Sequence, residues 1–147
     1  MKLYEMPTEQ ALEKIRQRQI TIAIVGQGYI GFTESVVLAD AGFSLIGFDV
    51  VKKLVDNINA GAKPHVYEPG LEEVYRRVLG KKYGATDDPE KLKEADVIIV
   101  SVGTPVDKDI DFKYLDSAAE TVGKALQRGQ LIFLRSTIPP GTTTGRF

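Results

Sequence analysis

The chain has 147 residues, which suits one domain, and 43% of them are apolar, enough for a core. Its 19 Lys and Arg nearly balance 20 Asp and Glu, giving a net charge of −1 that argues against a polyanion-binding face and hence against nucleic acid as a partner. No apolar run approaches the roughly 18 residues of a membrane span, and the absence of cysteine excludes a disulfide framework and a thiolate metal site. Residues 1–18 carry Glu5, Glu9 and Glu13 and no apolar core, so they are not a signal peptide. A soluble cytoplasmic protein without a bound metal is the expectation.

Pro7 and Thr8 can open a short helix reaching about Gln17, with Ala11, Leu12 and Ile15 on one face. Residues 1–18 therefore read as a helical extension of a domain at 19–147. An apolar, β-branched run, Ile20 to Val25, predicts the first strand. Gly26-Gln27-Gly28-Tyr29-Ile30-Gly31 follows, and a helix-like stretch runs from Phe32 to Asp40. Strand, glycine turn and helix give each glycine a physical task. Gly26 makes the turn, Gly28 lets a pyrophosphate approach the backbone, and Gly31 lets the helix pack closely on the strand. The free N–H groups and positive dipole end of the helix then face an anion. The second strand, Phe43 to Phe48, ends in Asp49, 18 residues past Gly31. That is close to the roughly 20 residues at which an acidic side chain meets a ribose 2′-hydroxyl.

A helix follows with Val51, Leu54, Val55 and Ile58 on one stripe. The stretch Lys63 to Leu71, with Pro64 and Pro69, opens as a loop, and Leu71 to Leu79 can be helical. Tyr83 to Thr86 is a short strand candidate. Asp88 and Pro89 cap and start a short helix through Glu94. Val97 to Val102 is a continuous apolar run of the kind buried in parallel sheets. Asp107, Asp109 and Asp111 alternate like the start of a calcium loop, but Phe112 stands where glycine is needed and Ala118 where glutamate is needed. These are read as solvated carboxylates, with Asp111 a cap. Leu115, Ala118, Val122, Ala125 and Leu126 make a last stripe, and Leu131 to Leu134 a last strand. Strands alternating with helices predict an α/β fold, a doubly wound Rossmann-type parallel sheet of order 3-2-1-4-5, its sixth strand missing. Gly26–Gly31, Asp49, Gly103–Thr104 and Ser136–Thr137 should then surround one crevice at the carboxyl ends of the strands.

Gly-Gln-Gly-Tyr-Ile-Gly at 26–31, Tyr-Glu-Pro-Gly-Leu at 67–71, Gly-Thr-Pro at 103–105 and Ser-Thr-Ile-Pro-Pro-Gly-Thr-Thr at 136–143 together resemble the NAD-binding domain of the UDP-glucose/GDP-mannose dehydrogenase family. The likeness covers nearly everything from Gln19 onward. It implies oxidation of the 6-hydroxymethyl of a nucleotide sugar to a carboxylate, with two NAD reduced per sugar. It further implies that Gly26, Gly28, Tyr29 and Ile30 line the pyrophosphate turn and that Asp49 holds the adenosine ribose. Thr104 would contact the cofactor, and Thr137 would lie near the nicotinamide with its hydroxyl placed to orient a catalytic water.

The sequence departs from the family pattern at two positions of the domain. Glu34 replaces a usual threonine, with an outward rotamer or an ion pair as the expected accommodation. Leu54 stands where a lysine commonly follows the ribose-binding aspartate, and Lys52 and Lys53 are offset. The resemblance also implies a thioester formed on a cysteine in a later domain, and a central helical region that builds a homodimer. These 147 residues contain no cysteine, so the chain reads as the NAD-binding part of a UDP-sugar dehydrogenase, inactive alone, whose substrate binds through domains not in this sequence. His65, the lone histidine, reads as an exposed, non-catalytic loop residue. UDP-glucose is the favoured sugar on 67–71. UDP-N-acetylmannosamine follows on the stretch 111–126, and a stand-alone NAD-binding regulatory module is the reading of a different class.

Overall fold

The computed structural model describes residues 1–147. Five parallel strands, β1 (Thr21–Val25), β2 (Ser44–Phe48), β3 (Tyr83–Thr86), β4 (Val97–Val100) and β5 (Leu131–Leu134), form one sheet of order β3-β2-β1-β4-β5. The helices are α1 (Thr8–Arg16), α2 (Tyr29–Asp40), α3 (Lys52–Asn59), α4 (Leu71–Val78), α5 (Lys113–Ala125) and a single turn α6 (Thr142–Gly145), with 3-10 turns at Leu3–Glu5 and Pro89–Glu94. This is the expected doubly wound sheet. The strand order reverses between β1 and β4, where Val25 pairs with Phe48 on one side and Val100 on the other.

Alternation along the strands divides the interior into two cores. Ile22 and Ile24 of β1 face one, with Phe32, Val36, Leu45, Ile58, Tyr75 and Tyr83. Ala23 and Val25 face the other, with Phe48, Ile98, Val100, Leu115, Ala118 and Val122. Phe32 is fully buried, and the rings of His65, Tyr75 and Tyr83 meet it edge-on at centroid distances of 4.9, 5.2 and 6.1 Å. Such contacts add about 0.5–1.5 kcal/mol each beyond area burial. Edge strand β3 is covered by a side chain: the Asn59 amide donates to the Ala85 carbonyl and accepts from the Ala85 N–H, both at 2.8 Å. One amide thus stands in for a neighbouring strand.

Four details depart from the sequence reading. Val51, expected on the stripe of α3, precedes that helix and is 54% exposed. Helix α2 begins at Tyr29, inside the glycine motif, rather than at Phe32. Leu12 is 43% exposed, and only Ala11 and Ile15 of its expected face pack on the core. Leu126 lies past the end of α5 and is 45% exposed. The first 18 residues pack beneath the amino ends of the strands. The Lys2 ammonium donates to the carbonyls of Lys93, Glu94 and Ala95 at 2.9–3.1 Å, and the Tyr4 N–H donates to Gly129. The extension is therefore at the opposite end of the sheet from the predicted crevice. No helix is long and apolar enough to cross a membrane.

Tyr83 is 2% exposed and its hydroxyl donates inward to Gln27. Burial pushes that hydroxyl far above the ordinary phenol range, with Tyr75 and Asp49 adding repulsion. The folded chain keeps a proton that the unfolded chain releases near pH 10. The contribution of this group is fully present below about pH 10 and is lost above it, at up to about 1.4 kcal/mol per pH unit. Urea unfolding between about pH 9 and about pH 11 should show this slope, and Tyr83→Phe should flatten it by about the same amount.

Candidate functional site

The glycine turn is built from close approaches. Gly26 has φ +95°, and a Cβ on it would stand 2.7 Å from the Ser101 carbonyl oxygen. A Cβ on Gly31 would stand 1.8 Å from the Gly26 carbonyl oxygen and 3.4 Å from Ile24. Gly28 has nothing of the protein within 4 Å of its Cβ position. The first two glycines are required by the chain itself, whereas Gly28 opens onto space. Gly28 caps α2, and Tyr29, Ile30 and Gly31 form the first turn, whose N–H groups have no partner inside the helix. These amides and the dipole end are able to receive an anion at the carboxyl end of β1.

Asp49 follows β2 and is fixed by the main chain. Its Oδ2 accepts from the Gln27 N–H at 2.8 Å and its Oδ1 from the Val51 N–H at 2.9 Å. Each oxygen retains a lone pair for a ribose hydroxyl. Asp49 and Gly28 line a cavity of about 270 Å³ shared with Val50, Val51, Tyr114 and Thr121. The next lysine, Lys52, is turned to Asp56 at 2.9 Å, while Leu54 packs on the first core, so no cation joins Asp49 from this helix.

The loops after β4 and β5 are stitched together. The Thr104 hydroxyl donates to the Thr137 carbonyl at 2.8 Å and the Ser136 hydroxyl to the Val102 carbonyl at 2.7 Å. Thr104 and Thr137 thus come together as expected, with Thr137 exposed. Glu34 is accommodated by an ion pair: its Oε1 meets Arg135 Nε at 2.8 Å. Its Oε2 is buried without a partner.

Sequence reasoning missed three members of this neighbourhood. Gln27, a spacer in the motif, is fully buried under the turn. His65 is exposed as expected, yet its Nε2–H donates to the Gln27 carbonyl at 2.8 Å. Glu68 accepts from the Tyr29 hydroxyl, and this hydrogen bond holds that hydroxyl above its ordinary range. The loop 64–70 is thereby tied to the glycine turn at two points. The only available signal was compositional: a lone histidine and a carboxylate in one loop.

Residues 20–146 match the family model described as the UDP-glucose/GDP-mannose dehydrogenase family, NAD binding domain. The chain is 39% identical over 124 residues to a UDP-N-acetyl-D-mannosamine dehydrogenase of Pyrococcus horikoshii, covering 83% of this chain and 29% of that protein. It is 34% identical over 125 residues to the UDP-glucose 6-dehydrogenase TuaD of Bacillus subtilis, covering 82% of this chain and 27% of that one. Among solved structures it resembles the NDP-N-acetyl-D-galactosaminuronic acid dehydrogenase of Methanosarcina mazei Go1, with a TM-score of 0.81 and 33% identity. That likeness covers 97% of this chain and 32% of the other. The chain spans about three-tenths of the length of these relatives.

The open space before Gly28 separates binding from folding. Gly28→Val should leave the thermal midpoint within about 4 °C, since the cost is confined to a helix cap. Its NAD affinity should fall by at least about tenfold, or 1.4 kcal/mol, in calorimetric titration.

Proposed function

The chain belongs to the UDP-glucose/GDP-mannose dehydrogenase family, of which it carries the NAD-binding domain, and we propose that it serves hydride transfer from the 6-hydroxymethyl of a UDP-sugar. The observation that carries this reading is the convergence of three fittings at one sheet end. They are the open amides after Gly28, the fixed carboxylate of Asp49, and the joined loops of Thr104 and Thr137. When bound, NAD supplies the hydride acceptor. The amides of the first turn of α2 hold the pyrophosphate, with Tyr29 and Ile30 on the turn and Gly31 keeping it against β1. Asp49 accepts from both ribose hydroxyls. The proton of Thr104 is already given to the Thr137 carbonyl, so Thr104 offers the cofactor an acceptor. Thr137 stands beside it, with its hydroxyl available to orient a water at the reacting carbon.

The sugar is read as UDP-glucose on Tyr67 to Leu71. UDP-N-acetylmannosamine is the second candidate, supported by 111–126 and by the Pyrococcus relative. Relatives named for the two sugars, UDP-N-acetyl-D-mannosamine and UDP-glucose, are 39% and 34% identical to this chain.

Asp49 would repel a 2′-phosphate that its two acceptor oxygens cannot hydrogen-bond. NAD should therefore bind at least about tenfold more tightly than NADP, a difference of about 1.4 kcal/mol. Equal affinities in calorimetric titration remove Asp49 from the ribose site.

Oxidation to a carboxylate needs a base and a nucleophile that holds the intermediate aldehyde. A thiolate can serve as that nucleophile near neutral pH, whereas a serine or threonine without an adjacent base cannot. These 147 residues should bind NAD without reducing it when given UDP-glucose or UDP-N-acetylmannosamine. Absorbance of NADH decides; steady turnover with either sugar overturns the assignment of this chemistry to a thiolate.

A further inference from the structure

A fully buried polar side chain beneath the site occupies a position that the glycine motif leaves unspecified. Gln27 is 0% exposed. Its Oε1 accepts from the Tyr83 hydroxyl at 2.6 Å. Its Nε2 donates to the Ile24 carbonyl at 3.1 Å, to the Gly26 carbonyl at 3.3 Å and to the Ser35 hydroxyl at 3.2 Å. Ser35 in turn donates to the Gly31 carbonyl at 2.8 Å. The hydrogen bonds link Tyr83 on edge strand β3 through Gln27 and Ser35 to the first turn of α2, and the Ser35 hydroxyl also lies 3.3 Å from Gln27 Oε1, a second acceptor for its proton. The opposite amide orientation would turn Oε1 onto the carbonyls of Ile24 and Gly26, acceptor against acceptor. Orientation and position are both fixed.

A second observation points the same way. Gly47 lies within strand β2, where glycine weakens a sheet. A Cβ there would stand 2.6 Å from Gln27 Oε1, 2.7 Å from its Cδ and 2.9 Å from Tyr83 Cε2. The strand gives up a side chain in the room that the Gln27 amide fills. The Gln27 backbone is equally engaged, its carbonyl accepting from His65 and its N–H donating to Asp49.

We propose that Gln27 is a positioning residue for the pyrophosphate turn: its buried amide, held by Tyr83 and Ser35 in the space left by Gly47, keeps the peptides from Gly26 to Gly31 in the conformation that binds the cofactor. This rests on the reading that the pyrophosphate lies on that turn. Buried polar networks of this kind rigidify their surroundings when every member is satisfied. Asp49 has a second main-chain anchor in the Val51 N–H besides the Gln27 N–H, so the adenosine end of the site stays held when the turn is disturbed.

The test compares NAD with adenosine, which lacks the pyrophosphate, on the 147-residue chain and two variants. Gln27→Met keeps length and removes every polar atom of the side chain; Tyr83→Phe removes one oxygen. In folded variants NAD affinity should fall at least tenfold for Gln27→Met and about threefold for Tyr83→Phe. Adenosine affinity should stay within about twofold in both. A merely structural role would lower the thermal midpoint and leave the ratio of the two affinities unchanged; that result overturns the proposal. If Gln27→Met does not fold, Tyr83→Phe alone decides by the same ratio. A wild-type chain that binds adenosine as tightly as NAD overturns the placement of the pyrophosphate instead, and the proposal with it.

Discussion

The contact between Gly31 and the Gly26 carbonyl is the constraint on which the site depends. A single methyl at Gly31 would meet that oxygen at 1.8 Å, and the obstacle is backbone, which cannot rotate away as a side chain can. Its absence lets α2 begin three residues after the turn and lie directly against β1. Phe32, Ser35, Val36 and Ala39 then face inward, and α4 packs over them with Tyr75 against Phe32. Overpacking at such a position costs about 1–3 kcal/mol, a large part of the 5–15 kcal/mol that holds a typical domain together. The first core and the anion site therefore rest on the same missing side chain.

Most of the fold was legible because its signals are local. The β-branched run before Gly26, the helical stripes of α3 and α5 and the Asp88 cap each announce an element within a few residues, and Asp88 Oδ1 does accept from the Glu90 N–H at 3.0 Å. The misplaced start of α2 has a physical reason. Glycine and a tyrosine-isoleucine pair carry poor helix propensity, so the first turn does not look helical, and tertiary packing on β1 makes it so. Leu12 misled for a different reason. Three apolar residues within five suggest a face, but α1 packs on the body through Ala11 and Ile15 alone, and the remaining position is free to be anything.

The site was legible where a motif ties residue type to spacing and opaque where contacts span the chain. Asp49 was placed by its distance from Gly31. Thr104 and Thr137 were placed by lying just after buried strands. Gln27, by contrast, occupies a position that the spacing formula leaves blank, and a glutamine in a turn reads as solvated. What buries it is the conjunction of Gly47 and Tyr83, 20 and 56 residues away. The partner of Glu34 is Arg135, 101 residues on. The carboxylate that would have repelled an anion near α2 is neutralised from the loop after β5, so the loop that carries Thr137 is also braced against α2.

The polarity of the mouth follows from these commitments. Four side-chain donors around the mouth are committed within the protein: Thr104 and Ser136 give their protons to carbonyls, His65 gives its own to Gln27, and Tyr29 donates to Glu68. The cavity before the glycine turn is bordered by that turn's main chain and by the Asp49 carboxylate, with apolar Val25, Phe48, Val51 and Val102 between them. A dinucleotide carries the complementary pattern, a pyrophosphate that only accepts and ribose hydroxyls that donate. The bonds of His65 and Tyr29 also hold loop 64–70 against the glycine turn, so the loop that borders the mouth and the turn that floors it are fixed as one piece.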